Sequence, residues 1–482
     1  MSADACGNPA VETEATMDRR LKYDRSKACI KCKINAGRIV VRHAVYCKDC
    51  FPTLLSTKVK RSLEPHINPR TELSRRKSLK ASGNLLIGFS GGLGSTVLLD
   101  LISKIYLSNR NELRPQDPTD GKARGGKDHP RNEPVWQKAS MTDRGDEIKS
   151  LMQDKYQNLE LIALRLEDAF DRKWWDQVGG RASTDVAIDV TNEDLYSRSI
   201  STSDMSDPIQ KLRSYLSALP THTAIDNAIR TLTRLLLLHT ARRTQSSHLL
   251  LGTSLTSLSI RLISSISEGG GFAIREEAQE EWHPGNSSSS LPIRLIRPMQ
   301  EITMKECSLW AWWNDLYVIG KEKRPGGKQG IAALTKDFIV GLERDYPSTV
   351  STIARTCAKL APKAEAVGSC ILCERPLQPG VQEWKSRISI RATAPSSPSS
   401  APVLRSLAPL LCYSCHTSLT SRSSKSISTK SENSPTPLPF WASAHLNALN
   451  TVNAKDEGGD VWITRRVGHN EMKGAIGEFL LE

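Results

Sequence analysis

The chain has 482 residues, of which 66 are lysine or arginine and 52 aspartate or glutamate, a formal charge of +14, with 38% hydrophobic residues and 11 cysteines. This length exceeds one ordinary domain, and the apolar fraction permits one large core with smaller modules and some unstructured insertions. The charge favours a polyanionic partner (ribosomal RNA, tRNA, DNA or anionic lipid) and argues against an acidic surface, though it fits a generally basic protein equally well.

Read from its start, "MSADACGNPAVETEATMDRR" has no apolar core of signal-peptide length, and its acidic residues argue against a mitochondrial presequence. The longest apolar run worth testing, Leu235 to Leu238 in "TRLLLLHTARR", is flanked by arginines and falls far short of the ~20 residues a span needs. The expectation is a cytoplasmic protein with no membrane partner. In a reducing compartment its cysteines read as metal ligands or reactive thiols, not disulfides.

Residues 1–24 read as disordered, and 25–55 as an amino-terminal zinc module. In "CIKCKINAGRIVVRHAVYCKDC", Cys29, Cys32, Cys47 and Cys50 form two C-x-x-C knuckles, enough to complete a tetrahedral zinc shell. His43 lies nearby as a surface side chain. Residues 56–84 form a basic segment in which "STKVKRSLEP" and "RTELSRRKSLK" read as helical. There Lys58, Lys60, Arg61, Arg75, Arg76 and Lys77, with Arg70 and Lys80, are candidates to neutralise RNA phosphates; the alternative is a solvated helix face.

From Leu85 an α/β pattern begins and extends to residue 362. Strands are predicted at "LLIGF", "LELIALRL" (159–166), "TDVAIDV" (184–190), "SHLLLG" (247–252) and "PIRLIRPM" (292–299). Helices are predicted over 223–244, after "SHLLLG", and around "TMKECSLWAWWNDL". Apolar strands alternating with helices imply a mainly parallel sheet covered on both faces. Residues 108–147 read as a disordered insertion.

Residues 363–420 read as a second zinc module, with Cys370 and Cys373 in "CILCERPL", Cys412 and Cys415 in "CYSCHTSL", and an insertion at about 391–404. His416 is expected beside that site, and Cys307 as a small buried residue. Residues 421–482 read as a low-complexity linker and tail. The tryptophans of "LWAWWNDLY" and "RKWWDQ" read mostly as core or subunit contacts.

After "LLIGF" come Ser90, Gly91, Gly92, Leu93, Gly94 and Ser95. A glycine turn opening a helix offers backbone N–H groups to a phosphate, but this one lacks the Walker lysine and the G-x-G-x-x-G spacing. It is as readily structural as functional.

"SGGLGS" resembles the S-G-G-x-D-S loop of PP-loop ATP pyrophosphatases. With "CIKCK…YCKDCF", the carboxyl-terminal C-x-x-C pairs and "LIRPMQEITMKE", the chain resembles the cytoplasmic tRNA 2-thiolation protein 2 family over most of residues 29–420. The resemblance implies a Rossmann-like PP-loop fold (adenine nucleotide alpha hydrolase-like) with small cysteine-rich zinc modules at both ends. It also implies a heterodimer with cytoplasmic tRNA 2-thiolation protein 1 that thiolates the wobble uridine of tRNAs for lysine, glutamate and glutamine. Its sulfur would come from a thiocarboxylated ubiquitin-related modifier, and a part in protein urmylation is also suggested.

The departures from an active loop point to a non-catalytic chain. Gly94 stands where an active loop has aspartate and Leu93 where the active partner has lysine, so neither magnesium nor phosphate charge is handled there. Between Gly88 and Met304 there is no cysteine to carry a persulfide or an iron–sulfur cluster. Ser90, Gly91, Gly92 and Ser95 remain as a degenerate nucleotide site, with ATP binding left open. The alternatives are an autonomous ATP-dependent adenylating enzyme using a distant thiol such as Cys307, or a zinc-ribbon adaptor that binds protein only.

Overall fold

The computed structural model describes residues 27–41, 44–67, 84–107, 144–181, 184–190, 193–199, 207–283, 291–320, 330–360, 362, 364–381, 384–385, 391–394, 406–421, 435–453 and 463–466. The first cysteine module contains an antiparallel hairpin, β1 (Ile39–Val41) and β2 (Ala44–Tyr46), and then α1 (Cys50–Ile67). Phe51, Leu55, Val59 and Leu63 recur every fourth residue along α1, and all four are buried. That stripe makes the segment an amphipathic helix, and it docks on the main domain against Leu98, Leu101, Leu250, Ile296 and Trp310. α1 therefore runs across the module boundary expected at residue 55.

β3 (Asn84–Gly88) leads through the glycine turn into α2 (Leu93–Ile102), whose residues from Ser95 onward are all buried. Next come α3 (Gly145–Lys155), α4 (Arg172–Gln177), β4 (Val186–Ile188), β5 (Ser197–Ser199), α5 (Pro208–Ala218) and α6 (His222–Arg243). Asp171, Asp207 and Thr221 cap α4, α5 and α6 by accepting from first-turn N–H groups. The chain continues through β6 (Ser246–Leu251), α7 (Leu255–Ser267), α8 (Ile274–Ala278), β7 (Glu280–Trp282), β8 (Ile293–Ile296) and α9 (Met304–Trp313). α9 starts at a capping box formed by Thr303 and Glu306. Helices α10 (Ile331–Asp345) and α11 (Pro347–Lys359) follow, then β9 (Arg391–Ala394), α12 (Tyr413–Thr420), β10 (Thr436–Pro437), α13 (Phe440–Asn453) and β11 (Ile463–Arg466).

The main sheet has the order β3-β6-β8-β7. β3, β6 and β8 are parallel, with Leu85 opposite His248 and Leu249 opposite Leu295, and β7 closes one edge antiparallel to β8. β6 is buried along almost its whole length, as a central parallel strand covered on both faces must be. Among the described residues no helix is long and apolar enough to cross a membrane.

Several expectations need correction. Leu159 to Arg165 form no strand; Leu164 and Leu166 pack on the core from an irregular segment and a 3-10 turn, without ladder partners. "TDVAIDV" yields only the three-residue β4, which belongs to a separate antiparallel sheet, β10-β4-β5. Of the insertion expected at about 108–147, residues 108–143 lie outside the described residues and α3 begins at Gly145, whereas the one expected at about 391–404 contains β9, which pairs with β11. The largest departure is the supposed tail: in α13, Trp441 is 1% exposed, and Phe440, Ala442 and Leu446 join the same core cluster as Leu235, Leu238 and Leu249. Residues 1–24 lie outside the described residues.

Candidate metal centres and the glycine turn

The two cysteine groups follow the same local design. In each, the first pair makes a knuckle: the Lys33 N–H donates to Cys29 O at 2.8 Å and the Glu374 N–H to Cys370 O at 2.7 Å. Lys33 and Glu374 both sit in the left-handed region, at φ 58° and 53°. The second pair opens a helix, with Phe51 N–H donating to Cys47 O in α1 and His416 N–H to Cys412 O in α12. N–H groups at a helix start favour thiolates.

Within each group the four sulfur atoms all lie within 4.8 Å of one another. Cys32 Sγ is 3.8 Å from Cys47 Sγ, and Cys373 Sγ is 3.7 Å from Cys412 Sγ. A tetrahedron with metal–sulfur bonds of ~2.3 Å has edges of roughly 3.8 Å, whereas a disulfide requires about 2.05 Å. Both groups therefore fit a metal ion held by four thiolates with no open position. That donor set suits zinc or iron.

The thiols titrate as clusters. Burial pushes Cys29 up, but the N–H groups of Cys32, Cys47 and Lys31 outweigh it and bring it down to about 6. Cys50 is pushed up to about 12, by burial first and then by Cys47 and Cys29. In the second group the neighbouring thiols hold Cys373 down and push Cys412 and Cys415 up. A dication at the centre lets all four ionise together. His416 stands beside this group, its Nε2–H donating to Glu193 O at 2.8 Å while Nδ1 accepts from Lys385.

The second knuckle is fixed to the main domain by buried charges. Arg234 donates to Cys373 O and pairs with Glu280 at 3.0 Å; Arg375 pairs with Glu277 at 2.5 Å; and Trp282 Nε1–H donates to Glu374 at 2.7 Å. Trp441 Nε1–H donates to Leu372 O at 3.1 Å.

The glycine turn lies at the carboxyl edge of the parallel strands, where open α/β sheets bind ligands. Here that edge is closed. Ser95 Oγ donates to Gly92 O at 2.9 Å and accepts from Ser90 N–H at 3.2 Å. Over Gly91, whose φ is 68°, a strap made of Ile319 and Gly320 donates both N–H groups to Gly91 O, at 3.1 and 3.3 Å. Arg144 holds this strap by donating to Ile319 O at 2.7 Å and Gly320 O at 3.2 Å.

Gly94 decides what the turn can do. A Cβ at Gly94 would lie 2.0 Å from Gly252 O, and one at Gly252 would lie 2.5 Å from Gly94 C, Gly94 O and Ser95 N. The turn after β3 thus meets the turn after β6 backbone against backbone, with no space for any side chain at position 94. The turn after β8 closes on the same spot, with Leu255 N–H donating to Ile302 O at 2.7 Å and Met304 N–H to Thr256 Oγ1 at 2.9 Å. Leu93 packs into the apolar cluster with α1.

The remaining candidates separate by burial. Cys307 is 0% exposed, and burial pushes its thiol up to about 12, as an inert core cysteine should be. Lys58 is not a free cation: it pairs with the buried Glu306 at 2.6 Å and donates to Glu301 O at 3.3 Å. Lys60 and Arg61 are exposed on α1. Arg75, Arg76 and Lys77, with Arg70, Lys80 and His43, lie outside the described residues. Trp174, Trp175, Trp282 and Trp441 surround His239 in the core, Trp310 donates to Asp100 at 2.8 Å, and Trp312 alone of its run is 75% exposed.

Residues 330–417 match the family model described as cytoplasmic tRNA 2-thiolation protein 2, a stretch that takes in α10, α11 and all four cysteines of the second group. Curated proteins carrying that name align more widely. The bovine one is 25% identical over 72% of this chain and 71% of its own, and the Schizosaccharomyces pombe one 22% over 82% and 92%. The chain is thus similar to the cytoplasmic tRNA 2-thiolation protein 2 family, through its model over residues 330–417 and through these wider alignments. The Danio rerio member of the 2-thiolation protein 2 family is 30% identical, but that match spans only 34% of each chain. A solved U34-tRNA thiolase, NcsA from Methanococcus maripaludis with its [4Fe-4S] cluster, overlaps 71% of this chain and 92% of its own, at 16% identity and a TM-score of 0.40.

Proposed function

We propose that this chain is the non-catalytic, zinc-stabilised subunit of a cytoplasmic tRNA sulfurtransferase. Its partner is cytoplasmic tRNA 2-thiolation protein 1, and the reaction is 2-thiolation of the wobble uridine of tRNAs for lysine, glutamate and glutamine, with sulfur from a thiocarboxylated ubiquitin-related modifier. The family supports the pathway, and the backbone contact between Gly94 and Gly252 supports the division of labour. An adenylating loop needs room for a metal-binding carboxylate and for triphosphate; at position 94 a neighbouring carbonyl occupies that room. Among the described residues outside the two four-cysteine groups, the remaining thiols, Cys307 and Cys357, are both buried. Zinc in both four-cysteine groups holds the two ends of the chain onto the sheet domain. Protein urmylation would draw on the same modifier.

The test is reconstitution with purified tRNA and thiocarboxylated modifier, with 2-thiouridine scored by retardation in mercury-containing gels. Thiolation is expected only when the catalytic partner is added, and is expected to fall when this chain is omitted. Robust thiolation by the isolated chain would overturn the assignment.

A further inference from the structure

We infer that the amino edge of the sheet carries an RNA-backbone-binding face formed by Arg172, Lys173, Arg181, Arg242 and Arg243. This rests on the tRNA reading above and gives it a location away from the closed carboxyl edge.

α6 is 22 residues long, which is about 33 Å at ~1.5 Å per residue. Its first turn meets α10, where Ile331 N–H donates to Thr223 Oγ1 at 3.2 Å. Its far end delivers Arg242 and Arg243 to the start of β6. Asn84, the first residue of β3, donates to Thr244 O at 3.0 Å, so both strands begin beside these arginines. Arg243 reaches across to Gln177 Oε1, at 3.4 Å, the last residue of α4, whose first turn carries the exposed Arg172 and Lys173. The exposed Arg181 follows, its carbonyl accepting from Trp175 Nε1–H at 2.9 Å. Beneath this face Trp174 and Trp175 are buried against His239, giving a rigid base.

Two features describe the charge of this cluster, and the second sets it apart from an ordinary helix surface. Inside the protein, Arg230, Arg234, Arg375 and Lys211 are each matched by a carboxylate, whereas among the described residues no ion pair holds any of these five. The carboxylates nearest in sequence are Asp171, which caps α4 through Lys173 N–H, Asp176, and Asp185, which is taken up by Lys211. Cations at the carboxyl end of α6 also suit its helix dipole, but Arg172 and Lys173 sit at the unfavourable amino end of α4. Local helix stability therefore does not account for them, while a polyanion does. An RNA duplex or loop presents evenly spaced phosphates recognised by shape and charge, which this sequence-neutral set of cations matches.

The experiment measures tRNA affinity of the full chain, with and without its catalytic partner, over a range of salt. Two patch variants (R172A/K173A and R242A/R243A), one charge-preserving variant (R242K/R243K) and one remote variant of equal charge loss (K336A/R355A) are compared. Each patch variant should weaken binding roughly tenfold and lower the log–log salt slope by about 2, roughly 1 per lost phosphate contact. The lysine variant should retain wild-type behaviour, and the remote variant should change little. Unchanged affinity and slope in both patch variants, or an equal loss in the remote one, overturns the proposal while leaving tRNA binding intact. Loss of the protein partner with RNA affinity retained would make the face a protein interface and also overturn it. Wild-type protein that binds no tRNA, even with its partner, would sink the functional reading as well.

Discussion

The replacement Gly94→Ala tests whether the glycine turn is closed by construction. The added Cβ would lie 2.0 Å from Gly252 O, and ordinary contact begins at 3.4 Å, so the two turns must part by 3.4 − 2.0 = 1.4 Å. Neither side can yield by rotating a side chain, because both are backbone. Overpacking of this kind costs about 1–3 kcal/mol, and a rigid backbone pair belongs at the upper end. About 3 kcal/mol corresponds to a fall of roughly 6–12 °C in the melting temperature of a domain this size. Gly252→Ala should cost a similar amount, and the double variant less than the sum, since one separation relieves both clashes. Gly341→Ala supplies the opposite sign: it lies within α10 with nothing within 4 Å of its Cβ, so it should stabilise by about 0.5–1 kcal/mol. Differential scanning calorimetry of the metal-loaded chain reads all four. A Gly94→Ala protein that melts within a degree of wild type would refute the closed turn. So would a Gly94→Asp protein that is stable and gains magnesium-dependent ATP binding.

Further predictions concern the charges and metals. Lys58→Ala leaves the buried Glu306 carboxylate without its cation, an expected loss of about 3 kcal/mol in urea unfolding, and a fully stable variant would place Lys58 back among free surface cations. His66 is held down to about 4, by burial first and then by Arg294 and His248. The unfolded chain therefore binds more protons than the folded one between about pH 6.5 and 4, and stability falls as pH drops through that window; His66→Gln should flatten that part of the stability profile, and an unaltered slope would exclude His66 as its source. Native mass spectrometry should find two metal ions per chain. Stripping them should shift tryptophan emission to the red as the core around Trp282 and Trp441 opens, because Cys373 O and Leu372 O anchor Arg234 and Trp441; an unshifted spectrum in the stripped chain would contradict that coupling.

What was legible in the sequence depended on how local the cause was. C-x-x-C spacing and helix starts are set within a few residues, and both four-cysteine groups assemble as the spacing predicts, the second across a gap of 38 residues between Cys373 and Cys412. Apolar runs with helix-length gaps likewise placed β3, β6 and β8. "LELIALRL" carries the same apolar signal, yet whether such a run becomes a strand is decided by a hydrogen-bonding neighbour that no local pattern reveals. Serine-rich flanks concealed α13, although Phe440, Trp441 and Leu446 already offered an apolar face. Gly94 is the most instructive case. Its identity reads as a lost carboxylate, but the reason only glycine fits lies at Gly252, more than 150 residues away along the chain, where the next turn's carbonyl presses against it. An aspartate at position 94 would meet that carbonyl, so accommodating one requires moving the ends of both strands at once.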